Sequence, residues 1–280
     1  MDTILVRYCE IGLKSDPVRR RFETILEQNM VSMLAADSVE AVVKRGNTRF
    51  YVETEDADAA VASLRKVFGI ASMSVAEVTS PILEDICQKC AELSTTSIAD
   101  GTTFAVRARH DEGGQKYTSM DLNRAVGQAI LDRNTGRGIS VDLNNPDTTV
   151  YIEVRCGKAY IFTSYIRCHG GLPLGSQGTV VAEVKDDRGL ASAWLMMKRG
   201  CRVTVVGDYG SDVLRHFEPN LKVLTEDMPY PRRALGVVLG SSIEGLKTTN
   251  GMRSGLPLFF PTIGMTDEDV GGLLKEIEAE

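Results

Sequence analysis

The sequence lacks the features that mark secreted, membrane-spanning and strongly basic proteins. No apolar run approaches the roughly 20 residues that a membrane span needs, and the opening MDTILVRYCE has neither the basic flank nor the apolar core of a signal peptide. We therefore expect a cytoplasmic protein with no membrane contact. Lys and Arg number 32 against 38 Asp and Glu, a net charge of −6, so any nucleic-acid surface must be a local basic patch.

Patterns for disulfide scaffolds and metal sites are also missing. The six cysteines are scattered through apparently regular segments, whereas disulfide scaffolds are short and loop-rich. Cys87 and Cys90 have the CxxC spacing of a redox dithiol or half a metal site, but there is no second CxxC. A helix there would place Cys90 beside Ile86 on an apolar face, so we expect packing and no metal. We expect Cys168 and His169, in a Gly-rich stretch, to be exposed.

Hydrophobic patterning divides the 280 residues into three units. Residues 1–78 predict the order β-α-β-β-α-β, which is typical of a ferredoxin-like domain. Residues 79–168 predict a second α+β domain, and the stretch 169–178, rich in Gly and Pro, is the predicted linker. In residues 179–280, the strands TVVAEV, CRVTVVGD and LGVVLG alternate with helical stretches. That alternation predicts a small α/β domain with a Rossmann-like parallel sheet.

Several long motifs together resemble a single family. VRYCEIGLKSDPVRRRFETILEQNM is similar to its N-terminal signature, and FAVRARHDEGGQKYTSMDLNRAVGQAI with VDLNNPDTTVYIEVRCGKAYI to its THUMP domain. GGLPLGSQG and AWLMMKRG are similar to its linker and first catalytic-domain helix, and LGVVLGSSIEG and LPLFFPTIGMTDEDV to later segments of that domain. The family is that of the tRNA 4-thiouridine synthetases, or tRNA sulfurtransferases. The resemblance implies that the middle unit, 79–168, is a THUMP domain that binds the acceptor end of tRNA.

The junction between the strand TVVAEV and the next helix departs from this family. Members carry S-G-G-x-D-S there, and its glycines and hydroxyls bind the phosphates of ATP. This chain has instead Val184, Lys185, Asp186, Asp187, Arg188 and Gly189. Two carboxylates would repel a polyanion, so we expect ATP binding to be lost and no cofactor to be held. The family's catalytic cysteine is also missing, because no cysteine follows Cys201, and we assign no catalytic residue.

Clustered basic residues are the candidate RNA-binding side chains. LKSDPVRRRF concentrates cations at a helix start, where the N-terminal amides also attract phosphate, although such a helix face is most often only solvated. Beside the THUMP resemblance, the candidates are Lys14, Arg19, Arg20, Arg21, Arg107, Arg109, Lys116 and Arg124. The resemblance implies recognition of duplex shape and a single-stranded end more than of base sequence.

Three functional hypotheses follow from these features. The first is a tRNA-binding protein related to 4-thiouridine synthesis that lacks its own adenylation and persulfide chemistry and presents tRNA to a sulfur-donor or adenylating partner. The alternative is an active tRNA sulfurtransferase with a rebuilt nucleotide site or partner-supplied activity. In the third, the last domain is a protein-interaction surface, for example of a homodimer.

Overall fold

Two β-sheets organise the chain. The computed structural model describes residues 2–8, 10–110, 117–246, 252–253 and 255–278. Within these residues one sheet has nine strands and the other has six. The nine-stranded sheet takes its strands from both predicted α+β units. The first two units are therefore joined through one continuous sheet.

The first unit has the predicted β-α-β-β-α-β order. Pro17 stands in the first turn of its long helix, where a missing N–H costs nothing. The side chain of Asp56 caps the second helix by accepting a hydrogen bond from the Ala59 N–H at 3.0 Å. The elements are β1 Asp2–Arg7, a 3-10 helix Glu10–Leu13, α1 Asp16–Ala36, β2 Ala41–Arg45, β3 Phe50–Thr54, α2 Ala57–Arg65 and β4 Ser72–Thr79.

The second unit is also α+β, as predicted. Thr118 and Asp121 form a reciprocal capping box that fixes the start of its second helix. The apolar segment AYIFTSYI is not one continuous strand, because the chain leaves the sheet at 163–165 and returns as a separate short strand. The elements are α3 Leu83–Ser97, β5 Thr103–His110, α4 Ser119–Arg133, β6 Ser140–Val141, β7 Thr148–Arg155, β8 Lys158–Phe162 and β9 Ile166–Arg167.

The helices α1 to α4 pack on one face of the nine-stranded sheet, whose strand order is β2-β3-β1-β4-β8-β7-β5-β6, with β9 paired to β4. In the first unit Leu26 of α1 shares a core with Ile4 of β1, and in the second Val126 of α4 shares a core with Phe104 of β5. Successive strand residues point to opposite faces. The apolar cluster on the other face consists of strand residues such as Leu5 and draws on none of the described helices. We call this side the open face.

The third unit is the predicted α/β domain with a parallel sheet. Its elements are β10 Thr179–Glu183, α5 Asp187–Lys198, β11 Arg202–Val206, α6 Ser211–Phe217, β12 Lys222–Leu224, β13 Ala234–Leu239, α7 Ile243–Leu246, β14 Met252–Arg253, β15 Leu256–Phe259 and α8 Asp267–Glu278. The strand order is β12-β11-β10-β13-β15-β14, and every pair is parallel except β14 with β15. The sequence pattern did not predict the short helix α6 or the short strands β12, β14 and β15.

The predicted linker is packed against the domains and is not a free tether. The His169 ring lies 5.2 Å from that of Trp194 and 5.4 Å from that of Phe217, so its expected exposure is wrong. Phe68, from the first unit, is buried in the core of the third unit together with Leu174. These apolar contacts offset the flexibility that the glycines would otherwise give the segment.

Candidate nucleic-acid interface

A cleft rich in arginine lies on the open face between the first two units. It forms where β4 changes partner, pairing with β8 at Glu77–Thr79 and with β9 at Ser72–Met73. Its volume is about 820 Å³. The charged and aromatic side chains that line it are Arg7, Arg49, Arg107, Arg109, Arg167, Tyr151 and Tyr165. We call this site the arginine cleft.

Arg7 is a fixed cation at the floor of the arginine cleft. Its guanidinium lies 4.8 Å from the ring centre of Phe162 and 4.5 Å from that of Tyr165. It donates hydrogen bonds to Ser74 Oγ and to Glu153 Oε1, both at 3.0 Å. Burial lowers the pKa of Arg7 although Glu153 opposes that effect, and a guanidinium stays protonated in proteins. The charge is therefore held in place by rings and by a carboxylate.

Glu153 ties three arginines together below the arginine cleft. Its side chain is 2% exposed and accepts hydrogen bonds from Arg7, from Arg49 Nε at 3.1 Å and from Arg155 Nε at 3.0 Å. Burial would raise the pKa of Glu153, but the charges and hydrogen bonds of Arg49 and Arg7 lower it below its ordinary value. Because one carboxylate faces three guanidinium groups, the local charge stays positive. The contacts also join β1 and the residue just before β3, in the first unit, to β7 of the second.

The rim of the arginine cleft carries exposed cations and a ring. Arg107, Arg109 and Arg167 are solvent-exposed, and Arg107 Nη2 donates to the Leu143 carbonyl at 3.4 Å. Tyr165 is 40% exposed, and its ring lies edge-on to Tyr151 at 4.8 Å. Guanidinium groups beside aromatic faces are suited to phosphates and to unstacked bases. The site can therefore hold an RNA backbone without reading a long sequence.

The loop between β10 and α5 is closed by its own side chains. Asp186 caps α5, and its Oδ1 accepts a hydrogen bond from the Gly189 N–H at 2.7 Å. The turn covers only the buried Val184, Lys185 and Asp186, because Asp187 already begins the helix. Gly240 presses against the same helix start, since a Cβ there would lie 2.3 Å from the Gly189 nitrogen.

The other side chains of this loop are engaged as well. Arg188 Nη1 donates to the carbonyls of Thr262 at 3.0 Å and Met265 at 2.9 Å. Asp187 accepts a hydrogen bond from the Tyr209 hydroxyl, and Lys185 lies 3.4 Å from Glu226. The Asp186 carboxylate thus accepts the hydrogen bond of the Gly189 N–H, which a phosphate at the helix start could otherwise accept. Two carboxylates, Asp186 and Asp187, therefore lie at the start of α5, where their charge opposes that of a phosphate.

Comparisons with known proteins agree with this architecture. The model of the ThiI ferredoxin-like domain matches residues 3–74, and that of the THUMP domain matches residues 82–164. A Methanosarcina acetivorans relative named "Probable tRNA sulfurtransferase" is 38% identical over 224 residues, which is 76% of this chain and 53% of the relative. The chain is a homologue of the tRNA sulfurtransferases. An Aeropyrum pernix member is 39% identical over 208 residues, covering 72% of this chain and 51% of that protein.

This homologue of the tRNA sulfurtransferases spans about half the length of the curated relatives it matches. The crystal structure of PH1313 from Pyrococcus horikoshii Ot3 has a TM-score of 0.83 and 26% identity, covering 99% of this chain and 100% of that one. A 4-thiouridine synthetase solved with RNA and bound ATP has a TM-score of 0.81 and 23% identity, covering 99% and 85%. The second match establishes the common fold.

The structure separates the basic residues predicted from the sequence of this sulfurtransferase relative into three places. Arg107 and Arg109 line the arginine cleft, whereas Arg124 lines a groove beside α4. Lys116 lies outside the described residues. The candidates at the start of α1, where Arg19 pairs with Asp16 at 2.9 Å, do not line the arginine cleft; they are Lys14, Arg19, Arg20 and Arg21.

Sequence reasoning missed several residues that build the arginine cleft. Arg7 ends β1, Arg49 directly precedes β3 and Arg167 ends β9, so the three are far apart in sequence. One signal in the sequence could have identified Arg7. It ends the apolar strand TILVR at a position whose side chain points away from the helix-facing residues of that strand.

Two further observations bear on sites of other kinds. Cys90 is buried in a core with Ile86, as the helical spacing predicts, and burial raises the pKa of its thiol. Within the described ranges no three metal-ligating side chains group together, and no helix there is both long and apolar enough to span a membrane.

Proposed function

We propose that this chain binds tRNA through the arginine cleft and has no adenylation or persulfide chemistry of its own. The observation that carries the proposal is the row of exposed arginines on a sheet face that no described helix covers. Its support comes from relatives that are named tRNA sulfurtransferases and from the fold shared with a synthetase solved with RNA. Because the chain as a whole has a net charge of −6, a polyanion is attracted to a locally positive face such as this one and not to the surface in general.

The arginine cleft would act by positioning the RNA. Arg107, Arg109 and Arg167 would contact phosphates, while the buried Arg7 would hold Tyr165 and the floor of the cleft in a fixed shape. Phosphate contacts set register and orientation, and they carry little sequence information. The acceptor end of tRNA, with its duplex and single-stranded terminus, is the part that we propose to lie here. Sulfur transfer or adenylation would then come from a partner, and homodimerisation through the third unit stays a prediction.

Removing two rim arginines should weaken this binding in a salt-dependent way. For the double variant Arg107→Ala with Arg109→Ala, we expect the plot of log affinity against log salt to become less steep by about 2. Each phosphate contact that is lost no longer releases counterions on binding. Filter-binding titrations of tRNA over a range of salt concentrations measure this slope. Arg133→Ala, on the exposed end of α4, is the matched control and should leave the slope unchanged. Equal, weak and salt-insensitive binding of the unaltered chain to tRNA and to an acidic control polymer would refute the proposal.

One observation favours the alternative, an active sulfurtransferase with a rebuilt nucleotide site. A cavity of about 530 Å³ lies at the carboxyl edge of the parallel sheet, lined by Arg188, Ser241 and Ser242. Neighbouring strands β10 and β13 make this the switch point where α/β sheets commonly bind ligands. The closed loop before α5 argues against a triphosphate there.

Calorimetry separates the two candidates. We expect no saturable heat when ATP or AMP is titrated into the full chain, with or without tRNA, because Asp186 already occupies the amide at the start of α5. Asp186→Ala is the informative variant, since it frees that amide at a cost of about 1 kcal/mol in helix capping. Saturable heat from the unaltered chain would instead favour the enzyme.

A further inference from the structure

The nine-stranded sheet ends on β2, and no described strand pairs with the outer side of β2. Such a free edge presents backbone groups that another chain can use, and proteins commonly protect it with proline, a bulge, charged side chains or a covering element. Lys44 and Arg45 supply charge at one end of β2. The other end, Ala41–Val43, is apolar and contains neither a proline nor a shift in its register with β3. This end of β2 is therefore open to a further strand.

The outward backbone groups of β2 follow from the turn that joins it to β3. The Gly46 N–H donates to the Arg49 carbonyl at 2.9 Å, so these two residues form a hydrogen-bonded pair. Hydrogen-bonded and non-hydrogen-bonded pairs alternate along an antiparallel ladder such as that of β2 and β3. Ala41 and Val43 are therefore in non-hydrogen-bonded pairs, and their N–H and C=O groups point away from β3. Each of the two residues offers an incoming strand one donor and one acceptor.

A groove of about 460 Å³ lies against this free end of β2. Two of its apolar side chains are well exposed to solvent, Val31 of α1 at 51% and Val42 of β2 at 50%. Exposed apolar side chains that are grouped in one place commonly mark an interaction site. We call this site the edge groove. Its apolar lining residues are Val31, Leu34, Ala35, Val39, Ala41 and Val42.

The edge groove is apolar on the helix side of the sheet and acidic on the open face. Ala41 packs against the core below α1, whereas Val42 and Glu53 pair with each other and alternation places both on the open face. Lys44 forms an ion pair with Glu53. Among the described residues, three carboxylates and no cation line the edge groove; the carboxylates are those of Glu40, Glu53 and Glu55. A strand that fits both sides would alternate apolar with basic side chains.

We infer that the edge groove binds an extended basic segment of a partner protein, which pairs with β2 as one more strand of the sheet. Strand addition of this kind takes affinity from main-chain hydrogen bonds and specificity from alternate side chains. Apolar side chains of the segment would lie on Val31 and Leu34, and the lysines or arginines between them would lie near Glu40 and Glu53.

The edge groove and the arginine cleft are separate sites. β3 and β1 lie between β2 and β4, where the arginine cleft forms, and the carboxylates of the edge groove repel the phosphates of RNA. The chain can therefore hold RNA and a partner protein at the same time. This inference goes beyond the proposed function and does not depend on it.

The test measures the binding of labelled peptides to the full chain by fluorescence anisotropy. A peptide of alternating valine and lysine should bind saturably, whereas a peptide of alternating valine and glutamate should not bind. A third peptide has the same valines and lysines in two separate blocks. It should bind less tightly than the alternating basic peptide, because only the alternating order gives a strand one apolar and one basic face.

Two variants of the chain test the strand edge and its charge separately. Ala41→Pro removes an outward N–H at the first residue of β2, where proline is tolerated, and should weaken binding of the alternating basic peptide about fivefold. Glu40→Lys reverses one charge of the lining and should also weaken it about fivefold. The matched control is Glu276→Lys on an exposed position of α8, which changes the net charge equally and should leave the affinity unchanged.

Weaker peptide binding by both variants, with unchanged affinity in the control, supports the inference. Equal weakening by Glu40→Lys and Glu276→Lys would show that the peptide responds only to net charge and would overturn it, as would equal affinity for the alternating and blocked peptides or no binding at all. Weaker tRNA binding by Ala41→Pro would assign the edge groove to RNA and overturn the inference. A particle mass in light scattering that Ala41→Pro lowers would assign it to a second copy of the chain, with the same consequence. If the unaltered chain binds the peptide but not tRNA, the proposed function fails and this inference stands.

Discussion

Glu153→Ala is expected to lower the free energy of unfolding by about 3–5 kcal/mol, the usual cost of removing one partner from a buried ion cluster. The carboxylate is 2% exposed and is the shared acceptor of Arg7 and Arg49. Without it, two guanidinium groups that burial has deprived of water would repel each other across the junction of the first two units. Urea unfolding at neutral pH measures the loss.

Glu53→Ala is the matched control for this prediction. Glu53 also lies on the open face, but its partner Lys44 is 54% exposed, and exposed pairs contribute only about 0–1 kcal/mol. Equal losses for Glu53→Ala and Glu153→Ala would show that the cluster adds nothing beyond a surface ion pair.

The same cluster predicts a pH dependence of stability. Because the folded-state pKa of Glu153 lies below its ordinary value, the stabilisation is complete above the unfolded-state pKa of roughly 4.3. It is lost progressively as the pH falls from there through the folded-state value. In acid unfolding, the difference in free energy of unfolding between the unaltered chain and Glu153→Ala should therefore shrink in this window. A difference that grew on acidification would contradict the assigned charge state.

Local patterns were sufficient to predict the elements of the fold. Apolar residues at helical spacing predicted α1, in which Phe22 and Leu26 are indeed buried, and the uninterrupted run TVVAEV predicted a fully buried strand. The hydrophobic pattern did not predict elements that are short or that form only by pairing with another strand. Ile166 and Arg167 form a strand only because they pair with Met73 and Ser72 of β4. No periodicity within the segment could show that.

The binding face was harder to predict because a sheet assembles it from distant strands. The local density of positive charge in the sequence predicts RNA contacts for Arg19, Arg20 and Arg21, yet Arg19 is partly neutralised by Asp16. Arg7 and Arg49 are isolated in sequence and meet at the arginine cleft only through the strand order. The loop before α5, by contrast, is recognisable from one continuous stretch of sequence. The charge of Asp186 predicts repulsion of phosphate, and in the structure its carboxylate also accepts a hydrogen bond from the Gly189 N–H.

Phe68→Ala should release the third unit from the first two. Phe68 is 1% exposed, and its ring lies edge-on to Trp194 and stacked on Phe217, both at 5.4 Å. Truncating a buried phenylalanine costs about 3–5 kcal/mol, because a cavity is added to the lost burial. Here the cavity would open at the contact between units, so segment 169–178 should become a site of proteolytic cleavage under native conditions. Limited proteolysis with mapped cleavage sites measures this.

Phe104→Ala separates this effect from a general loss of stability. Phe104 is 0% exposed in the core of the second unit, so its truncation should cost a similar free energy without exposing segment 169–178. Cleavage in that segment for both variants, or for neither, would contradict an anchoring role for Phe68. Because Phe68 does not line the arginine cleft, Phe68→Ala should still bind tRNA with an unchanged salt slope. Tight binding by a chain with a released third unit would then place RNA capture in the first two units, and leave the third free to meet a partner.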